Sequence, residues 1–137
     1  MELQVGVKIL LKNKDGRYLV VCRSAEKYPE VGARWDIVGG RIEPGVSLLD
    51  NLKREVLEET GLEISGEPKL IAAQDILRIE GRHTVRLTYT GFAGGEVKLS
   101  DEHSDYRWLS LEEIVKLEPM DIYFKEVLEK FCEEINK

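Results

Sequence analysis

The chain holds little cysteine, little histidine and no excess of positive charge, and each shortage closes off a class of function. Two cysteines, Cys22 and Cys132, are too few for a disulfide framework, and Cys22 sits in a strand-like apolar run where a core role is expected. The two histidines, His83 and His103, fit no zinc-type spacing and have no cysteine nearby, so His103 reads as a plain surface residue. With 20 Lys and Arg against 26 Asp and Glu, the net charge is −6. That balance argues against binding nucleic-acid polymers, because no basic face offsets phosphate repulsion. It leaves room for a small phosphate-bearing ligand if a bound cation reverses the local field. No run approaches the roughly 18 apolar residues of a membrane span. The opening MELQVGVKILLK also lacks a basic stretch followed by a long apolar one, so no membrane partner and a cytoplasmic location are expected.

What is present describes a folded protein. Hydrophobic residues make up 42% and charged residues 34%, and 137 residues suit a single domain, 1–137, with a core of its own. Leu3 to Leu11 reads as a strand ending at the turn Lys12-Asn13-Lys14-Asp15-Gly16, and Tyr18 to Cys22 as the returning strand. Residues 24–34 read as a loop, and Trp35 to Val38 as a short apolar piece running into Gly39-Gly40. A helix is expected over 47–60, opened by Ser47 and stopped by Gly61. Strands follow at 67–80 and 83–93, joined at Gly81-Arg82, and a last one at Asp105 to Leu109. Ser110 and Glu113 form a capping-box pattern. Met120 to Ile135 reads as one amphipathic helix, serving either the core or an interface between copies. The whole predicts one mixed sheet covered by helices on both faces.

The helix over 47–60 carries the chemistry. At 100° per residue, Glu55, Glu58 and Glu59 share an arc of roughly 100° on one side, with Leu49, Leu52 and Val56 beside it facing the core. Three carboxylates this close repel one another and call for a positive charge between them. A hard divalent cation supplies it, and Mg²⁺ prefers such oxygen ligands, with Mn²⁺ a workable substitute.

Gly40, Arg54-Glu55-Val56, Glu58-Glu59 and Gly61-Leu62 stand at the spacing of a known signature, and on these residues the chain resembles the Nudix (MutT-like) hydrolases. One position departs: Val46 replaces the signature's first glutamate, which weakens the expected loop geometry, and Glu43 is a candidate to compensate. Val38 likewise stands where many relatives carry proline.

The resemblance implies an α/β (α+β) fold, an α/β/α sandwich with a mixed sheet and a loop-helix-loop catalytic box. It implies Glu55, Glu58, Glu59 and the backbone carbonyl of Gly39 as metal ligands, and Arg54 as a residue that orients a glutamate through a bidentate pair. Glu102, in the loop ahead of the last strand, resembles the position of a further ligand or catalytic base, with Asp101 and Asp105 as substitutes. Arg23, Lys27 and Arg34 are candidates to neutralise substrate phosphate.

The implied reaction is metal-dependent hydrolysis of a diphosphate linkage in a nucleoside diphosphate derivative. A (deoxy)nucleoside triphosphate or an oxidised one is favoured by the chain's small size. Gln74-Asp75-Ile76-Leu77-Arg78 lacks the proline of ADP-ribose-acting relatives. The resemblance also implies a monomer or homodimer. Val46 invites an alternative, a catalytically weak nucleotide-binding or regulatory module.

Overall fold

The computed structural model describes residues 1–30 and 32–136. Val31, within the loop expected at 24–34, lies outside the described residues. The strands are β1 (Glu2–Lys12), β2 (Tyr18–Arg23), β3 (Trp35–Asp36), β4 (Val38–Arg41), β5 (Glu63–Ile76), β6 (Arg82–Gly94) and β7 (His103–Leu109). The helices are α1 (Leu48–Thr60), α2 (Leu111–Ile114), α3 (Ile122–Lys130) and α4 (Cys132–Asn136). Among the described residues no helix is long and apolar enough to cross a membrane.

All seven strands join one sheet, and β1 organises it. Along one edge β1 runs parallel to β6, from Glu2 opposite Arg82 to Lys12 opposite Phe92. Along the other it meets β2 only at the hairpin, where Lys12 faces Tyr18, and then pairs with β4 from Gly6 opposite Arg41 to Ile9 opposite Val38. Strand β2 splays away to pair with β3 and β7, leaving a cleft where the sheet divides.

Both strands of the hairpin read as continuous apolar runs because both their faces are covered. Val7, Ile9, Leu11, Leu19 and Val21 face the cluster that α1 seals with Leu52 and Val56. The alternate residues Leu10, Tyr18, Val20 and Cys22 face the cluster formed with Ile114, Phe124, Val127 and Ile135 of α2 to α4. The fold is therefore a mixed sheet between helical layers, as the sequence predicts.

Several boundaries differ from expectation. β5 begins at Glu63 and ends at Ile76, not at 80; the turn lies earlier, with the Arg82 N–H on the Ile79 carbonyl at 3.1 Å. β7 starts two residues early, at His103. The expected single helix from Met120 to Ile135 is two. Met120 instead forms a bridge to Trp35, and Asp121 caps α3 by accepting the N–H groups of Tyr123 and Phe124 at 3.1 and 3.0 Å. At Phe131 the backbone leaves helical geometry (φ −124°, ψ 24°), and α4 places the Ile135 carbonyl within 3.4 Å of the Tyr18 hydroxyl.

Candidate active site

The box begins with two glycines in close quarters, the first of which only glycine can occupy. A Cβ on Gly39 would sit 2.0 Å from the Val7 carbonyl oxygen, a backbone atom that β1 holds in place, and φ at Gly39 is 151°. A Cβ on Gly40 would meet the Glu55 carboxylate at 2.6–2.9 Å. The backbone of β4 is therefore drawn against β1 on one side and against α1 on the other.

α1 starts as predicted, with the Ser47 hydroxyl accepting the Asp50 N–H at 3.1 Å, and stops at Gly61, whose φ is 72°. The loop before it is tied by a residue that sequence reasoning missed. Asn51 is fully buried; its Nδ2 donates to the carbonyls of Val46 (3.0 Å) and Ser47 (2.8 Å), while Oδ1 accepts from the Glu43 N–H (2.8 Å) and Arg54 (3.0 Å). The only available signal was a polar residue amid the core-facing positions of an amphipathic helix. Val46 contributes its carbonyl to this network while its side chain is exposed, so the loop is held without the glutamate usual at that position.

Arg54 does not form the expected bidentate pair. It spans two carboxylates, Glu43 at 2.7 Å and Glu55 at 3.2 Å, and so links the loop to the helix.

A cleft of about 410 Å³ lies against this framework. It brings together Gly39, Glu55, Glu59 and Glu102 of the expected site, with Arg23 on the far wall. Glu59 is only 4% exposed and accepts the Gly39 N–H on Oε2 at 2.9 Å. Burial pushes its carboxyl up to about 8, and neighbouring Glu55 adds to the rise, against the pull of Lys8 and the Gly39 N–H. Burial also raises Glu55, opposed by Arg54 and reinforced by Glu58. Glu58 itself is exposed and outside the cleft lining, and among the described residues no three His, Cys, Asp or Glu side chains converge on one point. Two acids forced toward neutrality in a polar cleft are nevertheless a donor set that a hard divalent cation suits, because positive charge there relieves the repulsion and desolvation together.

The floor of the cleft holds a second missed residue. Lys8, in the apolar run of β1, is 7% exposed and donates to Asp36 Oδ2 and the Ile37 carbonyl, each at 3.1 Å. His103 is also not the surface residue expected. β7 begins opposite Arg23, where the register shifts, and its imidazole is buried with Nδ1 unpaired, 3.9 Å from Glu59 Oε1. Burial, then Lys8 and Arg23, push it down to about 4, so the ring is neutral at ordinary pH.

The opposite wall is formed by loops. Glu102 accepts the Tyr28 hydroxyl at 2.9 Å, and its carbonyl accepts the Ser24 N–H at 2.9 Å. Arg23 lies over the Tyr28 ring, 4.8 Å from its centroid. Lys27 is turned away to pair with Asp101 at 2.9 Å on the surface, and Arg34 lines an adjoining pocket.

Comparison with known proteins gives concordant findings. The family model described as NUDIX domain matches residues 2–131. Nucleoside triphosphatase NudI of Escherichia coli strain K12 is 33% identical over 116 residues, which is 77% of this chain and 81% of that protein. The crystal structure of a MutT protein from Methanosarcina mazei Go1 superposes with a TM-score of 0.84 at 30% identity, covering 99% of this chain and 97% of that one. The solution structure of the E. coli ORF135 protein gives 0.80 at 25% identity, over 97% and 91% of the two chains.

Proposed function

The chain belongs to the Nudix hydrolase family, and on that premise we propose that its cleft hydrolyses nucleoside triphosphates, oxidised ones included, to a nucleoside monophosphate and pyrophosphate. The observation that carries this reading is the buried Glu59 carboxylate beside Glu55 in the cleft, a like-charge pair that a cation would relieve. The likeness to a nucleoside triphosphatase over most of both chains supports the choice of substrate. In this reading Mg²⁺ is held by Glu55, Glu58, Glu59 and the Gly39 carbonyl, with Glu102 as a further ligand or base. When bound, it withdraws electron density from the phosphoryl oxygens and lowers the pKa of water.

The side chains have separable roles. The Gly39 N–H orients Glu59 through Oε2, and Arg54 holds Glu55 against the loop. Arg23, across the cleft from the acids, supplies positive charge that offsets the substrate's phosphates, while Lys8 in the floor is paired with Asp36 and lies near enough to Glu59 to temper its charge. Attack by water at phosphorus needs no covalent enzyme intermediate. The alternative, a nucleotide-binding module with little catalysis, loses its main motive because Asn51 and the Glu43–Arg54 pair hold the loop with valine at position 46. A pure binder would also gain nothing from burying Glu59.

The test is product release from a panel of nucleoside triphosphates, oxidised deoxynucleotides, nucleotide sugars and dinucleoside polyphosphates with Mg²⁺, beside Glu58→Gln. Turnover of triphosphates, lost in the variant, is the expected result. Binding without turnover across the panel would replace this reading with the alternative.

A further inference from the structure

Four buried polar side-chain atoms lack a hydrogen-bond partner among the described residues, and of these only Nδ1 of His103 belongs to a residue lining the cleft. A buried donor or acceptor left unpaired is destabilising, so its retention calls for a use.

His103 is brought there by the helix it faces. The Lys98 N–H donates to the Thr60 carbonyl at 2.8 Å and the Ser100 N–H to the Glu59 carbonyl at 3.2 Å, which lays the chain after β6 along the end of α1. The His103 N–H then turns back to the Ser100 carbonyl at 3.4 Å, and β7 starts with His103 opposite Arg23. A loop anchored on the Glu59 backbone thus returns an imidazole to the Glu59 side chain, with Nδ1 3.9 Å from Oε1. The two side chains are only 4% and 6% exposed.

The oxygens of Glu59 are unequally used. Oε2 accepts the Gly39 N–H at 2.9 Å, whereas among the described residues Oε1 accepts no hydrogen bond. The gap from Oε1 to Nδ1 is too long for a hydrogen bond, yet shorter than the ~4.5 Å that a water bonded to both would span. A small displacement closes it, and the loop-built wall that carries Glu102 and His103 is the side of the cleft that can supply one.

We propose that His103 is a positioning residue whose Nδ1–H donates to Glu59 Oε1 in the working enzyme, so that the carboxylate is held from β4 by Gly39 and from β7 by His103. Bonds to both oxygens fix the plane of the carboxylate and leave lone pairs on each for a cation. An ionised carboxylate only accepts, so the bond also fixes the imidazole proton on Nδ1. The inference rests on the reading of Glu59 as a metal ligand and adds what orients it.

The test compares His103→Leu, similar in volume but without a donor, with His103→Asn, which keeps an N–H near the place of Nδ1. Mn²⁺ affinity is measured by calorimetry on the full chain, beside kcat and KM for triphosphate hydrolysis. In His103→Leu, Mn²⁺ affinity and kcat are expected to fall at least ~10-fold, the range for partners that orient a ligand, with KM and melting temperature held. His103→Asn should recover most of both losses, and nitrogen NMR of the Mg²⁺-loaded protein should find the His103 proton on Nδ1. Unchanged Mn²⁺ affinity and kcat in His103→Leu, equal losses in the two variants, or a proton on Nε2 would overturn the inference. Should His103→Leu fail to fold, His103→Asn and the NMR signal decide alone. Hydrolysis that needs Glu59 but not His103 would sink this inference alone; Mn²⁺ binding that depends on His103 in a protein without hydrolysis would sink the hydrolase reading alone.

Discussion

The two walls of the cleft are built on opposite plans. The β4–α1 wall is densely bonded: Asn51 makes four hydrogen bonds, Glu59 is clamped by the Gly39 N–H, and a side chain at Gly39 would strike the backbone of β1. The facing wall, made by residues 24–30 and 100–103, joins its two loops through the Tyr28 hydroxyl, the Ser24 N–H and an exposed lysine–aspartate pair, and meets α1 through the Ser100 N–H on the Glu59 carbonyl at 3.2 Å. The first plan fixes the acids before any ligand arrives. The second permits adjustment around it, as befits groups that complete a site only when substrate binds.

Glu59→Gln breaks the fixed wall most severely, with turnover expected to fall at least ~100-fold, the scale of losing one preorganised electrostatic group. It should also change how stability follows pH. The native Glu59 carboxyl, raised to about 8, binds a proton between pH 4.5 and 8 that the unfolded chain does not, so stability falls as pH rises through that window. His103, lowered to about 4, acts the other way: between 4 and 6.5 the unfolded chain binds the extra proton, and stability rises with pH. The two effects cancel from 4.5 to 6.5. The metal-free protein should then lose about 2 kcal/mol between pH 6.5 and 8. In Glu59→Gln that loss disappears and the rise below 6.5 emerges. Denaturant titrations of both proteins across pH 4–9 check this, and parallel curves would refute it.

Asn51→Ala removes the tie between loop and helix, vacates a fully buried position and takes from the Val46 carbonyl and the Glu43 N–H their side-chain partner. A loss of ~2–4 kcal/mol in denaturant unfolding is expected, with activity falling too. Tyr28→Phe probes the adjustable wall. Glu102 loses its tether, and turnover should drop by about 10-fold, as for outer partners of a site, while the melting temperature barely moves. Smallest of all is Lys27→Ala, which removes an exposed ion pair; neither melting temperature nor activity should change measurably. An effect of Lys27→Ala as large as that of Asn51→Ala would erase the distinction between the walls.

Legibility in the sequence divides along the same line. The core of α1, with its cap, its stop and its acidic arc, is set by spacing within a dozen or so residues, and these features were legible. Glu58 shows the limit of that reasoning: helical spacing gives the arc but not the rotamer, and its side chain is exposed. Lys8 and His103 were missed or misread because what buries them comes from elsewhere in the chain, Asp36 for Lys8 and the β2–β7 register shift for His103, while Asn51 was missed because a polar side chain among core-facing positions does not announce which loop carbonyls it will meet. Apolar periodicity likewise ran through Phe131, where contact with the sheet, not local propensity, ends the helix. Nearness in sequence groups Lys27 and Arg34 with Arg23, whereas the structure keeps Arg23 and Arg34 on one pocket and pairs Lys27 with Asp101 on the surface.

The parallel pairing of β1 with β6 carries a consequence for how the molecule comes into being. Glu2 lies opposite Arg82 and Lys12 opposite Phe92, so β1 gains its parallel neighbour only from a strand far downstream of it. Pairings this remote in sequence close slowly, because the intervening chain must surrender its freedom before any contact rewards it. Gln4 to Gly6 and Lys8 on β1, and Thr84 and Arg86 on β6, are among the strand residues that line the cleft. The hairpin of β1 and β2 and the helix α1 form from local sequence, but the pocket between them takes shape only once β6 has joined β1.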